Sequence, residues 1–262
     1  MIDDPSENKA GDVQSGGSAA MSVADQLTSL ILAELAPGSS LPSEANLAAR
    51  YDVSRLTVRE AVKMVAGRGL LELARGRRAV VREPTGAAFG EFLAMIMMRD
   101  PKGVFDLIEV RQALEIQSAT YAARRANRAS LNAIEHALAG MRTAAARMDG
   151  AEGRERKEAE QAFHKCDIDF HEAIALASGN RMITYLIEAM AVPLEDSRAL
   201  TLRGHELRGR PIQATLEAHQ AILNFIRDGD SRGAAQAMRS HLEDTERDLR
   251  SVLQARVQNG SF

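Results

Sequence analysis

Apolar residues recur at helical spacing along most of the chain, and capping residues, Pro and Gly divide this pattern into segments. A first helix is predicted to begin at the N-cap residue Ser22 and to end before Pro37-Gly38. A second, short helix is predicted for residues 43–50, and a third for residues 54–67. The pattern therefore predicts one helix followed by two helices that a tight turn joins.

Residues 70–82 change from helical spacing to two short apolar runs around a basic turn. Residues 70–73 and 79–82 have the length and composition of strands, and Gly76 suits the turn between them. They predict a small hairpin. The first 20 residues have no apolar periodicity and are predicted to be a disordered tail. Residues 21–84 are thus predicted to form one domain, a winged helix-turn-helix.

The rest of the chain is predicted to be helical. Pro84-Thr85-Gly86 marks a boundary, residues 85–91 are predicted to be a linker that starts a connecting helix, and residues 92–256 an all-helical domain. Pro193 lies inside one predicted helix, which should kink or divide there. Seven helices are predicted, near residues 87–98, 103–127, 130–149, 154–177, 181–203, 211–228 and 231–254. The fold class is mainly α, with an antiparallel helical bundle after the winged domain.

Composition narrows the class of protein. Hydrophobic residues make up 45% of the 262 positions, charged residues 26%, and Trp is absent, which favours a helical globular protein over a large β-sandwich. No apolar run is long enough to span a membrane, and the N-terminus lacks the layout of a signal peptide. The single cysteine, Cys166, excludes an internal disulfide. A cytoplasmic protein is expected.

Charge becomes informative when it is divided along the chain. The net charge is only -3, but residues 50–82 contain nine bases and three acids. Such a local excess is typical of a surface that binds a polyanion, although a solvated helix face would also carry it. Its coincidence with a helix-turn-helix pattern and a basic hairpin favours double-stranded DNA as the partner.

The predicted elements assign roles to individual residues of this domain. In a helix-turn-helix, the second helix of the motif lies in the major groove with its N-terminal residues nearest the bases. Arginines there can bind guanine edges or phosphates, and a hairpin tip suits phosphate or minor-groove contact. The candidate DNA-binding residues are Ser43, Glu44, Ser54, Arg55, Thr57, Arg59, Arg75, Gly76 and Arg77.

Several short motifs of this domain have a specific spacing. They are Leu41-Pro42-Ser43-Glu44, Leu47-Ala48, Val53-Ser54-Arg55, Val58-Arg59-Glu60-Ala61 and Gly69-Leu70-Leu71. This set resembles the DNA-binding domain of GntR-type bacterial transcription regulators. Two positions depart from that family: Ala45 stands where an arginine usually contacts DNA, and Leu56-Thr57 follows Arg55 where Thr-Pro is common. Operator preference therefore cannot be transferred from a relative.

Four residues of the helical domain have the spacing of metal ligands. Asp167 and His171 are four residues apart on one predicted helix, so their side chains can chelate one ion. His219 and His241 lie at similar distances from the turn between the last two helices, which would bring them level. This donor set favours zinc, with nickel, iron and manganese as alternatives.

Other residues could change that assignment. His164 lies on the same helical face as Asp167 and is a reserve ligand, whereas Cys166 faces another side and is assigned to packing. His136 and His205 are assigned ordinary packing or surface roles, which are the commoner roles for a lone histidine.

A second set of motifs resembles the effector-binding domain of the FadR subfamily, called FCD. They are residues 110–115, residues 167–174 continued to Ser178-Gly179-Asn180, and His219 and His241 around Gly229-Asp230. In metal-containing members, an Asp-x-x-x-His pair and two later histidines hold the ion, which corresponds to the quartet above. The resemblance implies a small carboxylate or sugar-acid effector rather than a fatty acyl group.

Arg111 is the candidate partner for the effector carboxylate. A salt bridge to Glu115, four residues further on, is the alternative role for its guanidinium group. Both remain open from the sequence.

The sequence thus predicts a ligand-responsive regulator, a repressor, that binds operator DNA as a homodimer and is not an enzyme. A metal-dependent hydrolase is the alternative, because an open His/Asp site can activate water. Two features disfavour a hydrolase. It has no use for a winged helix, and His171-Glu172 is not followed by the second histidine of a zincin motif.

Overall fold

The computed structural model describes residues 9–74, 76–83, 85–99, 103–191 and 193–258. The chain divides into two compact units between Ala88 and Phe89, inside the segment 85–91 that was predicted as a linker. The described residues form eleven helices and one two-stranded sheet. The mainly-α fold class is confirmed.

The first unit contains a helix-turn-helix and a hairpin. Its elements are α1 (Lys9–Glu34), α2 (Glu44–Tyr51), α3 (Arg55–Gly67), β1 (Leu71–Glu72) and β2 (Val80–Val81). The strands pair antiparallel, with Leu71 opposite Val81. The hairpin predicted from residues 70–82 is therefore present.

The start of α1 corrects the sequence prediction. Ser22 is not an N-cap, because α1 begins at Lys9, and residues 9–20 are helical rather than a disordered tail. Extending an existing helix costs much less than nucleating one, so a packed segment can carry helix into residues without apolar periodicity. Ala20 is buried, which shows that side-chain burial begins before Ser22. Residues 1–8 of the predicted tail lie outside the described residues.

Apolar side chains of all three helices and both strands form one core in this unit. Buried members include Leu27 of α1, Leu47 of α2, Val58 and Val65 of α3, and Val81 of β2. Arg68, just after α3, binds the Asp25 carboxylate of α1 at 2.7 Å. These contacts fix α3 with its opposite face exposed.

The second unit is a helical bundle. Its helices are α4 (Ala87–Arg99), α5 (Gly103–Arg125), α6 (Arg128–Met148), α7 (Gly153–Ala177), α8 (Arg181–Ala191), α9 (Glu195–Leu207), α10 (Ile212–Arg227) and α11 (Ser231–Gln258). The helix predicted for residues 181–203 divides into α8 and α9 around Pro193, whose ring and missing N–H interrupt a helix. No helix in the described ranges is long and apolar enough to cross a membrane.

Long helices α5, α6, α7, α10 and α11 enclose the main core of the bundle. Its largest fully buried side chains include Phe170, Met141, Ile222 and Leu242. Helices α9 and α11 come unusually close at Gly204. A Cβ atom on this residue would overlap with the backbone carbonyl of Asp248. The core therefore places α7, α10 and α11, which carry the predicted metal ligands, side by side.

Candidate functional site

Two serines start the helices of the helix-turn-helix. The Ser43 hydroxyl accepts a hydrogen bond from the Asn46 backbone N–H at 3.2 Å, and the Ser54 hydroxyl accepts one from the Thr57 N–H at 3.1 Å. Asp52 adopts a left-handed conformation with φ of 52° in the turn between the helices. Both serines are N-caps and serve the local fold, since each satisfies a free N–H of a first turn.

A basic groove lies between α2, α3 and the hairpin. Its volume is about 670 Å³. Gly76 has a φ of 73° at the hairpin tip, where a side chain would be strained. Arg75 lies outside the described residues. The groove is lined by Arg55, Arg59, Lys63, Arg77 and Arg78.

Two arginines of α3 differ in their partners. Arg59 donates through Nε to the Glu44 carboxylate of α2 at 2.7 Å, and both side chains are exposed. Arg55 is exposed and has no hydrogen bond or ion pair within the described part of the chain. A phosphate or base can therefore bind Arg55 directly. At Arg59, it competes with the Glu44 carboxylate for the guanidinium group.

The four predicted metal ligands lie together in the bundle. One ligand atom of each lies within 4.8 Å of the others: Asp167 and His171 come from α7, His219 from α10 and His241 from α11. Asp167 Oδ1 is 3.1 Å from His219 Nε2 and 3.8 Å from His171 Nε2. The rings of His219 and His241 are 4.4 Å apart between centroids. Three of the four side chains are buried, and Asp167 is partly buried.

Contacts behind the histidines orient them for a metal. His219 Nδ1 donates to the Thr215 backbone carbonyl at 2.8 Å, which leaves Nε2 as the atom with a free lone pair. His171 Nδ1 contacts the Glu115 carboxylate, and its buried Nε2 has no hydrogen-bond partner within the described residues. Three imidazoles and one carboxylate that meet in this way fit the tetrahedral preference of zinc.

Burial favours the neutral form of two imidazoles of the quartet. It lowers the pKa of His171, although Glu115 opposes this, and burial together with His219 and His171 lowers the pKa of His241 well below its usual value. Burial raises the pKa of Glu115, but the charge of Arg111 and the contact with His171 outweigh it and bring the pKa to about 2. A neutral imidazole beside an ionised Glu115 is the state that a metal ligand needs.

Of the two roles that the sequence left open for Arg111, the structure contains the salt bridge to Glu115. The Nε of Arg111 forms this ion pair, and both side chains are almost fully buried. Its Nη2 is buried without a hydrogen-bond partner among the described residues, and Arg111 also lines a cavity next to the quartet. An unpaired, buried donor is costly unless a ligand or water satisfies it.

The cavity has a volume of about 70 Å³ and lies within the helical bundle. Its lining includes Arg111, Asp167 and His241, together with His164, which is not in the ligand cluster. Three threonines also line it. These are Thr201, Thr215 and Thr245. A small polar molecule in this cavity can thus contact Asp167 and His241 of the quartet, Arg111 and threonine side chains.

His205 has a role that the sequence did not indicate. Its Nδ1 is 3.3 Å from the Asp248 carboxylate and its Nε2 2.9 Å from the Pro211 carbonyl, and it lines the cavity. The hydrogen bond to Asp248 raises the pKa of His205 despite burial. Neither this pair nor the contact of Glu115 with His171 follows a helical spacing, so both depend on packing between helices. His136, by contrast, is exposed.

Family models match both units. The model described as "Bacterial regulatory proteins, gntR family" matches residues 19–81, and the FCD domain model matches residues 106–244. The second match includes all four residues of the quartet and Arg111.

Relatives match over nearly their whole length. The transcriptional regulator LutR of Bacillus subtilis is 31% identical over 86% of this chain and 98% of its own. The galactonate operon transcriptional repressor of Escherichia coli is 29% identical over 82% of this chain and 90% of its own. The solved structure of a Streptococcus agalactiae GntR protein has 26% identity and a TM-score of 0.65, and covers 87% of this chain and 99% of that one.

These proteins are named as regulators and not as enzymes, which agrees with the sequence prediction and disfavours the hydrolase alternative. The chain belongs to the GntR family of bacterial transcription regulators, in the FadR-like group, with an N-terminal DNA-binding helix-turn-helix and a C-terminal FCD effector domain.

Proposed function

We propose that this regulator holds a divalent metal, zinc in preference to nickel, iron or manganese, through Asp167, His171, His219 and His241. A small carboxylate or sugar acid binds beside it and controls operator binding. One observation carries the proposal: two members of the quartet, Asp167 and His241, line the same cavity as Arg111. When bound, the ion would supply a Lewis-acidic centre that can take up an effector oxygen by expanding its coordination.

The chain's own residues account for selection of a carboxylate. Arg111 is held by Glu115 through Nε, and its unpartnered Nη2 donates to a carboxylate oxygen of the effector. Because the arginine is almost fully buried, a neutral ligand would leave this donor poorly satisfied. The threonine hydroxyls of the cavity wall suit the hydroxyl groups of a hydroxy acid or sugar acid.

The proposal for DNA assigns Arg55 and Arg59 to base or phosphate contacts and Arg77 and Gly76 of the hairpin to phosphate or minor-groove contacts. Their place around the basic groove supports these roles. Among the relatives, the galactonate operon protein is named a repressor and the Glc operon protein an activator. For this chain we propose repression, with a homodimer on the operator, because dimers of such domains bind two half-sites.

Metal analysis tests the quartet. Purified protein should contain about one divalent metal per chain, and His219→Ala or His241→Ala should lose most of it. His164→Ala is the matched control, since His164 lines the same cavity but is outside the ligand cluster. Retention of metal by the double variant His171→Ala/His219→Ala would overturn the assignment.

A ligand screen tests the effector class. Thermal shifts of metal-loaded protein with sugar acids, hydroxy acids and dicarboxylates should identify stabilising compounds. Their effect should vanish in Arg111→Ala and after chelation. Stabilisation that persists in both cases would place the compounds elsewhere.

Anisotropy titrations test the arginines of α3. Arg55→Ala and Arg59→Ala should each weaken operator binding by about 1–3 kcal/mol, and log affinity should fall with log salt. The variants should fold normally because both side chains are exposed. Unchanged binding by both variants would rule out α3 as the recognition helix.

A further inference from the structure

Leu56 is an apolar side chain in an unusual place. It is the second residue of α3, and it is 67% exposed. Val58, two residues later, is fully buried, and two residues correspond to about 200° around a helix. Leu56 therefore points away from the core that Val58, Ala61 and Val65 form. In the first two turns of α3, all of which are described, it is the one large apolar side chain that is exposed.

The neighbours of Leu56 show what kind of partner this surface fits. Arg55, Arg59 and Lys63 are exposed and line the basic groove, which suits a polyanion better than an apolar protein surface. The Thr57 hydroxyl is 2.9 Å from the Ser54 hydroxyl, so it is engaged in the helix cap. Leu56 thus provides the apolar contact at the start of this helix.

Helix-turn-helix domains place the N-terminal residues of this helix against base edges in the major groove. A leucine side chain has no donor or acceptor, so it cannot read the hydrogen-bonding pattern of a base pair. The one apolar group in the major groove is the C5-methyl group of thymine. From exposure, position and basic surroundings together, we infer that Leu56 contacts a thymine methyl group and makes one position of each operator half-site specific for thymine.

This inference rests on the DNA-binding domain that the family match shows, and it is independent of the proposed metal and effector. It also concerns a position where this chain departs from the Thr-Pro that often follows the arginine in its family. The partner is duplex DNA. The experiment below distinguishes binding of Leu56 to DNA from binding to another protein or to a second copy of the chain.

Removing single methyl groups from DNA tests the contact. An operator is first selected from random duplexes with the full-length protein, and each thymine is then replaced in turn by deoxyuridine. For the wild type, one replacement per half-site should weaken binding by about four-fold, the value expected for one buried methyl group. The Leu56→Ala variant should bind the unmodified operator less tightly and should not respond to that replacement.

A second substitution in the DNA tests whether adding a methyl group back restores binding. Cytosine at the same position should weaken wild-type binding, and 5-methylcytosine should recover part of the loss because it restores the methyl group. Leu32→Ala is the matched protein control, since Leu32 is also 67% exposed but lies on α1, outside the motif formed by α2, the turn and α3. Leu32→Ala should behave as the wild type with every duplex.

Three results would overturn the inference. The first is that deoxyuridine has no effect on binding at any position. The second is that it weakens the binding of Leu56→Ala and of the wild type by the same factor. The third is that Leu56→Ala keeps full DNA affinity and changes only the oligomeric mass in light scattering, which would assign Leu56 to a protein contact. Circular dichroism spectra of both variants show whether each is folded.

Discussion

Glu115 joins two groups that the proposed function uses separately. One carboxylate oxygen contacts the metal-ligand candidate His171, and the other pairs with Arg111. All three side chains are almost completely buried. Glu115 therefore influences both the orientation of His171 and the charge balance of Arg111, although it would touch neither metal nor effector.

We expect Glu115→Gln to lower metal affinity by about 10- to 100-fold, the usual cost of losing a partner behind a metal ligand. The amide no longer favours the ligand orientation of His171 and leaves the Arg111 charge uncompensated. Competition with a chromophoric chelator measures the affinity, and the spectrum of cobalt-substituted protein reports the ligand geometry. Glu109→Gln, an exposed carboxylate on the same helix, is the control. Equal affinities and spectra for the two variants would contradict this role.

His205 should make stability depend on pH. Its hydrogen bond to Asp248 raises its pKa in the folded protein, so the folded state holds the proton more tightly than the unfolded chain does. The resulting stability is fully present below the unfolded pKa of about 6.5 and is lost as pH rises through the folded pKa. Wild type should therefore exceed His205→Gln in unfolding free energy by more at about pH 5.5 than at about pH 9.

Urea unfolding of metal-free protein at both pH values measures this difference. His136→Gln, which changes an exposed histidine, should show no such pH dependence relative to the wild type. A His205→Gln deficit that is the same at both pH values would show that the side chain acts by packing alone.

The predictable part of the site consists of residues on one helix and of residues on two helices that a short turn joins, as for His219 and His241. Asp167 and His171 share a face through their four-residue spacing, and the salt bridge of Arg111 to Glu115 has the same spacing. The Glu115 contact with His171 joins α5 to α7, and that of His205 with Asp248 joins α9 to α11. No local spacing encodes which helices are neighbours, so these contacts required the three-dimensional structure.

Among the elements, α9 and α11 depend on the absence of a side chain at Gly204. Because a Cβ atom would overlap with the Asp248 carbonyl, Gly204→Ala must separate the two helices. We expect a loss of about 1–3 kcal/mol in unfolding free energy, as for other overpacked sites. The change should also weaken the His205–Asp248 contact.

Denaturant unfolding checks this expectation, with Gly103→Ala as the control. A Cβ atom at Gly103 would meet only Met97, at ordinary distances of 3.6 Å from its Cγ and 3.8 Å from its Cα. Equal stability of Gly204→Ala and Gly103→Ala would mean that the close approach of α9 and α11 relaxes without cost.

Element boundaries were predictable where a residue type forces them. Ser43 and Ser54 cap α2 and α3, and Pro193 separates α8 from α9. The start of α1 was not predictable in this way, because Ser22 has the right chemistry for a cap and yet lies inside a helix. Capping residues are permissive: they stabilise a start but do not prevent a helix from continuing.

For the whole molecule, the central prediction is coupling between the two units. An effector that binds in the bundle can change DNA affinity only by preferring one arrangement of the chain. A typical coupling of about 1–3 kcal/mol would change operator affinity about 5- to 150-fold, and operator DNA must change effector affinity by the same factor. Residues 85–91, where the units divide, are where we expect the change to be absorbed.

Calorimetry with and without operator DNA measures this reciprocity once an effector is known. Arg111→Ala should lower effector affinity while leaving DNA binding without effector nearly intact. Equal effector affinity in the two titrations would show that the cavity is not a regulatory input, and the quartet would then serve only to tie α7, α10 and α11 together.

The ion pair between Arg59 and Glu44 has a consequence for how the regulator searches a chromosome. A phosphate that binds the remaining donors of Arg59 also comes near the negative charge of Glu44, so we expect each non-specific encounter to yield less binding energy than it would without Glu44. Weaker non-specific binding shortens each encounter and favours rapid sliding and hopping. At the operator, other contacts hold the protein and offset this repulsion, so the bound time lengthens there. We therefore expect Glu44 to shift the balance between the speed of the search and the time spent at the operator.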